Sequence, residues 1–135
     1  TKGMNLTLSD WMYEGIIMEG GVLAIHPDYF RLTSGLERCL YRIARKHAGT
    51  QPNGWTQDID TLYKKTGSDS PRREFTRMLC KAVTADALPD YHLHWIEMSE
   101  GGKPAVQMIR RSCLPAAHPA YTCPVQKSRT RPVIA

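Results

Sequence analysis

The sequence predicts a small α+β domain, on three observations. Apolar side chains recur at three- and four-residue spacing in several segments, the mark of amphipathic helices. Two of these, "TQDIDTLYKKTG" and "SPRREFTRMLCKAVTAD", are separated by only a short turn. Two strand-like runs of matched length, "YHLHWIEM" and "PAVQMIR", then flank the glycine-rich turn "SEGGK" and read as a β-hairpin.

Taken in order, "LTLSDWMYEGIIMEGG" reads as a short strand running into a helix that is capped near Ser9 and stopped by Gly20-Gly21. "VLAI" is a short apolar strand, and "HPDYFRL" a loop marked by its proline. "SGLE" at Ser34 to Glu37 fits a capping box, with the serine capping forward and the glutamate reaching back. The helix that follows puts Leu36, Leu40, Ile43 and His47 on a core face and ends at Gly49. Lys46 and His47 suit the negative end of its dipole. After the loop "TQPNG", Trp55 begins the next element. Ile59, Leu62, Tyr63 and Thr66 then give one helical face, closed by Gly67.

The next helix is expected to be capped by Ser70, with Pro71 at its first position. Phe75, Met78, Leu79, Ala82 and Val83 form its apolar face, while Arg73, Arg77 and Lys81 recur every four residues on another. In the hairpin, period-two alternation slips at Ile96, which predicts a bulge there. The order helix, helix, helix-turn-helix, hairpin is that of a winged helix-turn-helix, a three-helix core with a β-hairpin wing. That domain is expected over residues 1–111, with 112–135 a disordered, basic, proline-containing tail.

Composition narrows the function classes. The 135 residues suit one domain with a real core, and a net charge of +5 makes polyanions the first partners to consider. No apolar run approaches the roughly 20 residues that span a bilayer, and no secretory signal is visible. Thr1 at the start reads as a fragment or a processed chain. Cys39, Cys80, Cys113 and Cys123 show no C-x-x-C pair and read as reduced thiols of a cytoplasmic protein. His92, His94, Cys113, His118 and Cys123 match no familiar zinc spacing, so no metal or other cofactor is expected.

Four stretches resemble a known family: "LTLSDWMYEGI", "DYFRLTSGLERCLYRIARKHAG", "LYKKTGSDSPRREF" and "LPDYHL". They are similar to the C-terminal part of plasmid replication initiator proteins of the replication initiator A type, over roughly residues 4 to 98. The resemblance implies binding of repeated origin sequences through winged-helix domains, contacts with host replication proteins, and a homodimer as a further partner state. Such proteins usually carry another winged-helix region before this one. Cys39 stands where a large aromatic residue is expected, and the tail after Arg111 falls outside the similarity.

In a helix-turn-helix the second helix enters the major groove with its N-terminal residues nearest the bases. Arg72, Arg73, Arg77 and Lys81 are therefore the expected DNA-binding side chains, with Ser68 and Ser70 at the anion-favouring helix start. Lys64 and Lys65 end the preceding helix, where phosphate contact and dipole stabilisation explain them equally well. Lys103 lies at the hairpin tip, where a wing reaches the minor groove, and Arg110 and Arg111 lie at its base. Arg38, Arg42 and Arg45 form a further stripe that reads as a solvated face or a backbone contact.

An enzyme is not expected. "HLH" at His92 to His94 reads as two outward histidines on a strand, with no pair of acids nearby and no phosphate-cradling glycine loop. The other readings are a winged-helix transcriptional regulator and a module for protein contacts, which exposed Trp11, Tyr13 and Tyr41 would serve.

Overall fold

A computed structural model of the protein describes residues 3–97 and 101–124. The elements in chain order are α1 (Asp10–Ile17), a 3₁₀ turn (Pro27–Arg31), α2 (Gly35–His47), β1 (Trp55–Asp58), α3 (Ile59–Thr66), α4 (Arg72–Ala85), β2 (Tyr91–Ile96), β3 (Ala105–Arg110) and a second 3₁₀ turn (Arg111–Cys113). The fold is α+β: four helices and one antiparallel sheet of order β1-β3-β2. Helices α2, α3 and α4 pack on one another, and α4 also packs on β2.

The serine half of the predicted capping box forms at the start of α2, with Ser34 Oγ accepting from the backbone N–H of Glu37, while no bond from the Glu37 carboxylate back to Ser34 is seen among the described residues. The buried face of α2 is turned slightly from the expected one. Leu40, Tyr41 and Ala44 are buried, Leu36 and Ile43 are only partly covered, and His47 lies outside the core. Tyr41 is the reason: its ring meets Tyr29 and Tyr91 inside the core, and its hydroxyl accepts from the N–H of His26. Arg38 Nε and Arg45 Nε donate to the carbonyls of Leu32 and Ala24, which pins the incoming chain along α2.

The sheet has three strands where a two-stranded hairpin was predicted. Trp55 to Asp58 pair with β3, in register from Trp55↔Met108 to Asp58↔Ala105. Asp58 ends this strand and caps α3 as well, its carboxylate accepting from the N–H and the hydroxyl of Thr61. The other side of β3 pairs with β2 from Tyr91↔Arg110 to Ile96↔Ala105 without interruption, so the predicted bulge at Ile96 is absent. Tyr91, Leu93, Ala105, Val106 and Met108 are buried; together with Phe75, Leu79 and Leu62 from the helices they form the centre of the core, apart from Ala105 at the edge.

Three further expectations are corrected. Residues 6–8 and 22–25 form no strand, since both edges of the sheet leave them unpaired and an apolar run alone does not make a ladder. Helix α4 begins one residue later than expected, with Pro71 rather than Ser70 at its N-cap and no side-chain cap bond. Residues 112–124 do not simply leave the domain: Leu114 is buried, and the Arg111 guanidinium donates to Asp86, to Leu88 O and to Ala120 O. The tail cations Lys127, Arg129 and Arg131, and residues 98–100 of the expected hairpin tip, lie outside the described residues.

Candidate nucleic-acid interface

Helices α3 and α4 are joined by a turn that the sequence builds tightly. Gly67 ends α3 in the left-handed region (φ 61°), where a side chain would be strained. Ser68 Oγ accepts from the N–H of Ser70, and the carbonyl of Ser70 accepts from the Tyr63 hydroxyl. Both serines therefore shape the turn, and the Ser70 hydroxyl has no partner among the described residues.

The cations of α4 fall into three states. Arg73 and Lys81 are exposed and make no hydrogen bond or ion pair among the described residues. Arg77 is exposed but forked onto Glu74, with Nη2 2.5 Å and Nε 3.0 Å from the carboxylate. That hydrogen bond holds the Glu74 carboxyl below its ordinary range and raises the Arg77 guanidinium. Arg72 points elsewhere, its Nε and Nη2 meeting Asp60 Oδ1 at 3.0 and 2.6 Å and its Nη1 meeting Thr76. The exposed row of α4 thus starts at Arg73.

A family model described as "Replication initiator protein A" matches residues 1–93, a span that includes α1 to α4 and the start of β2. The chain belongs to the replication initiator protein A family. It is also 34% identical over 92 residues to a protein of Wigglesworthia glossinidia brevipalpis named "Putative replication protein". The match covers 68% of this chain and 33% of that relative, so the chain spans about a third of its length. No solved structure matches the chain.

In this family member the other predicted contacts separate by location. Lys64 lines a groove with Thr56, Asp60 and Lys103, between β1, α3 and the β2–β3 connection. Lys65, one residue on, faces α2 instead, 3.5 Å from His47 Nε2 and over the Trp55 ring, on which His47 is stacked. Burial, then Lys65 and Lys46, lower the His47 pKa and favour its neutral form. Lys103 Nζ donates to Asp60 Oδ2 at 3.4 Å. Asp60 was not among the residues singled out from sequence. Its place in the first turn of α3 reads as dipole stabilisation, and only the fold shows that it meets cations of α4 and of the turn before β3.

Of the α2 stripe, Arg38 and Arg45 hold the preceding chain and Arg42 alone has no partner among the described residues. At the hairpin base Arg111 is largely buried and bonded to Asp86. His92 is not outward as predicted; it lies 2.7 Å from Asp86 with its ring against His118, while His94 is exposed. Among the described residues no three His, Cys, Asp or Glu side chains are gathered as metal ligands. Cys113 Sγ instead faces the carbonyl of Thr50.

A second surface is apolar. Every large hydrophobic side chain left exposed among the described residues lies between Met4 and Phe30, including Trp11 and Tyr13, and α1 buries none of its residues. Tyr41, grouped with these two from sequence, is buried. The same stretch, residues 3–30, carries Asp10, Glu14, Glu19 and Asp28 and no Lys or Arg. No helix among the described residues is long and apolar enough to cross a membrane.

Proposed function

We propose that this chain is a sequence-specific double-stranded DNA-binding module of the winged helix-turn-helix type that acts at a replication origin, as a non-catalytic part of a replication initiator. The observation that carries the reading is the exposed face of α4, which opens directly after a tight turn from α3 with Arg73, unpartnered among the described residues. A helix presented this way meets the major groove with its first turns, where arginine reads guanine through O6 and N7. The order α2-β1-α3-α4-β2-β3 supports the winged arrangement, with the β2–β3 connection as the wing. Membership of the family supports the origin as the setting, and host replication proteins as further partners in the cytoplasm.

Selection of bound duplexes from random DNA at two salt concentrations tests this. A recovered consensus that recurs as a repeat supports initiation, and a single operator-like site favours a transcriptional regulator. If α4 and the wing together neutralise about six phosphates, log K should fall against log salt with a slope near −5. Salt-independent binding, or none, overturns the reading.

One observation favours a second role, in protein contacts. Among the described residues the exposed large apolar side chains are concentrated in residues 4–30, and apolar patches on a surface mark contact sites. Trp11 and Tyr13 are of the type that anchors interfaces.

A further inference from the structure

Asp60 stands where three elements meet: the first turn of α3, the first residue of α4 and the chain entering β3. Its Oδ1 accepts both Nε and Nη2 of Arg72, at 3.0 and 2.6 Å, and its Oδ2 accepts from Nζ of Lys103 at 3.4 Å. Two cations from separate elements, both expected from sequence to contact DNA, thus converge on one carboxylate.

We propose that Asp60 occupies the place of a backbone phosphate between Arg72 and Lys103, and so weakens the phosphate-dependent part of duplex binding. This inference rests on the DNA-binding reading. An arginine fork accepts a carboxylate or a phosphate with the same geometry, so each competes for the site the other holds. Asp60, Arg72 and Lys103 have side chains 49%, 40% and 64% exposed, and pairs this wet add little to folding stability. The hydrogen bond from Arg72, then its charge and Lys103, hold the Asp60 carboxyl below its ordinary range, so it stays ionised at neutral pH.

Non-specific binding depends almost wholly on phosphate contacts, so it bears the full effect of a carboxylate standing at two of them. A cognate complex bears the same loss and has base contacts beside it, and Arg73, next to Arg72, has no partner among the described residues. The neighbouring acid cannot substitute, because Asp58 is committed to the α3 cap through Thr61 and to Gln57.

The test is Asp60→Asn, which keeps the shape and removes the charge. Asp28→Asn, in the acidic N-terminal stretch, is the control with the same change in net charge. Binding to random duplex and to a selected duplex is followed by fluorescence anisotropy over a salt series. Asp60→Asn should bind random duplex roughly three- to tenfold more tightly at low salt, with a slope steeper by about one. Binding to the selected duplex should tighten by a similar factor, while Asp28→Asn stays near wild type and both variants keep the wild-type melting temperature. Random-duplex binding by Asp60→Asn no tighter than by Asp28→Asn overturns the inference, and weaker binding makes Asp60 a brace for the wing instead. Failure of the wild type to bind any duplex is a different result: it ends the DNA-binding reading, and this inference with it.

Discussion

The hydroxyl of Tyr63, in the last turn of α3, donates to the carbonyl of Ser70 at 2.8 Å, while its ring meets the Phe75 ring edge-on at 5.0 Å. One side chain therefore fixes the turn from outside and the helix crossing from inside. The placement of Arg73 against any ligand depends on that link.

Tyr63→Phe keeps the ring and removes the hydrogen bond. Stability should fall by about 1 kcal/mol, a few degrees in melting temperature. Preference for a selected duplex over random DNA should fall as well, because the start of α4 is held less firmly. Calorimetry and paired binding titrations check the two effects. An unchanged melting temperature would mean the turn is held by its backbone alone.

Arg73→Ala and Lys81→Ala separate base reading from backbone holding. Eight residues at 1.5 Å each put the two about 12 Å apart along α4. Arg73→Ala should lose about 1–3 kcal/mol on the selected duplex and relax preference at one base pair. Lys81→Ala should weaken selected and random DNA alike and reduce the salt slope by about one. Both variants should melt with wild type, since both side chains are exposed without partners among the described residues. Equal weakening on both DNAs by Arg73→Ala would show that the row only grips phosphate.

Asp58 predicts an acid limit. The N–H of Thr61 is the main cause that holds its carboxyl at about 2, against an ordinary value of 3.8. A pKa depressed by folding means that the charged form stabilises the native state. That contribution is present above the ordinary value and is lost as pH falls from 3.8 through about 2. Asp58→Ala should cost about 1 kcal/mol at neutral pH. The gap to wild type should close in acid, as read by denaturant unfolding at each pH.

Gly54 precedes β1 with φ 64°, and a Cβ there would sit 2.2 Å from Met108 O and 2.9 Å from Ile109 Cα. Backbone cannot yield as a side-chain tip does, so Gly54→Ala should destabilise by more than about 1 kcal/mol. Gly35→Ala, in open space at the start of α2, should be neutral or slightly stabilising. Melting of both variants makes the comparison.

What the sequence disclosed follows the range over which each signal acts. The α2 cap is legible because Ser34 and Glu37 are three residues apart, and the α4 core face because Phe75, Leu79 and Ala82 repeat within one helix. Strand β1 is not legible, since four residues run straight into a helix and their partners lie at 105–108. The same holds in the interface. The types and spacing of the α4 cations are plain, but that Arg72 turns to Asp60 while Arg73 does not is a matter of which face α3 presents.

Strand β3 is last of the three in the chain and middle of the three in space. Until residues 105–110 leave the ribosome, neither β1 nor β2 has a strand to pair with, and the core lacks Val106 and Met108. The α3–α4 pair is made before its sheet can form, and pairing between positions so distant is intrinsically slow. A nascent chain halted before residue 105 should therefore be protease-sensitive throughout, helices included.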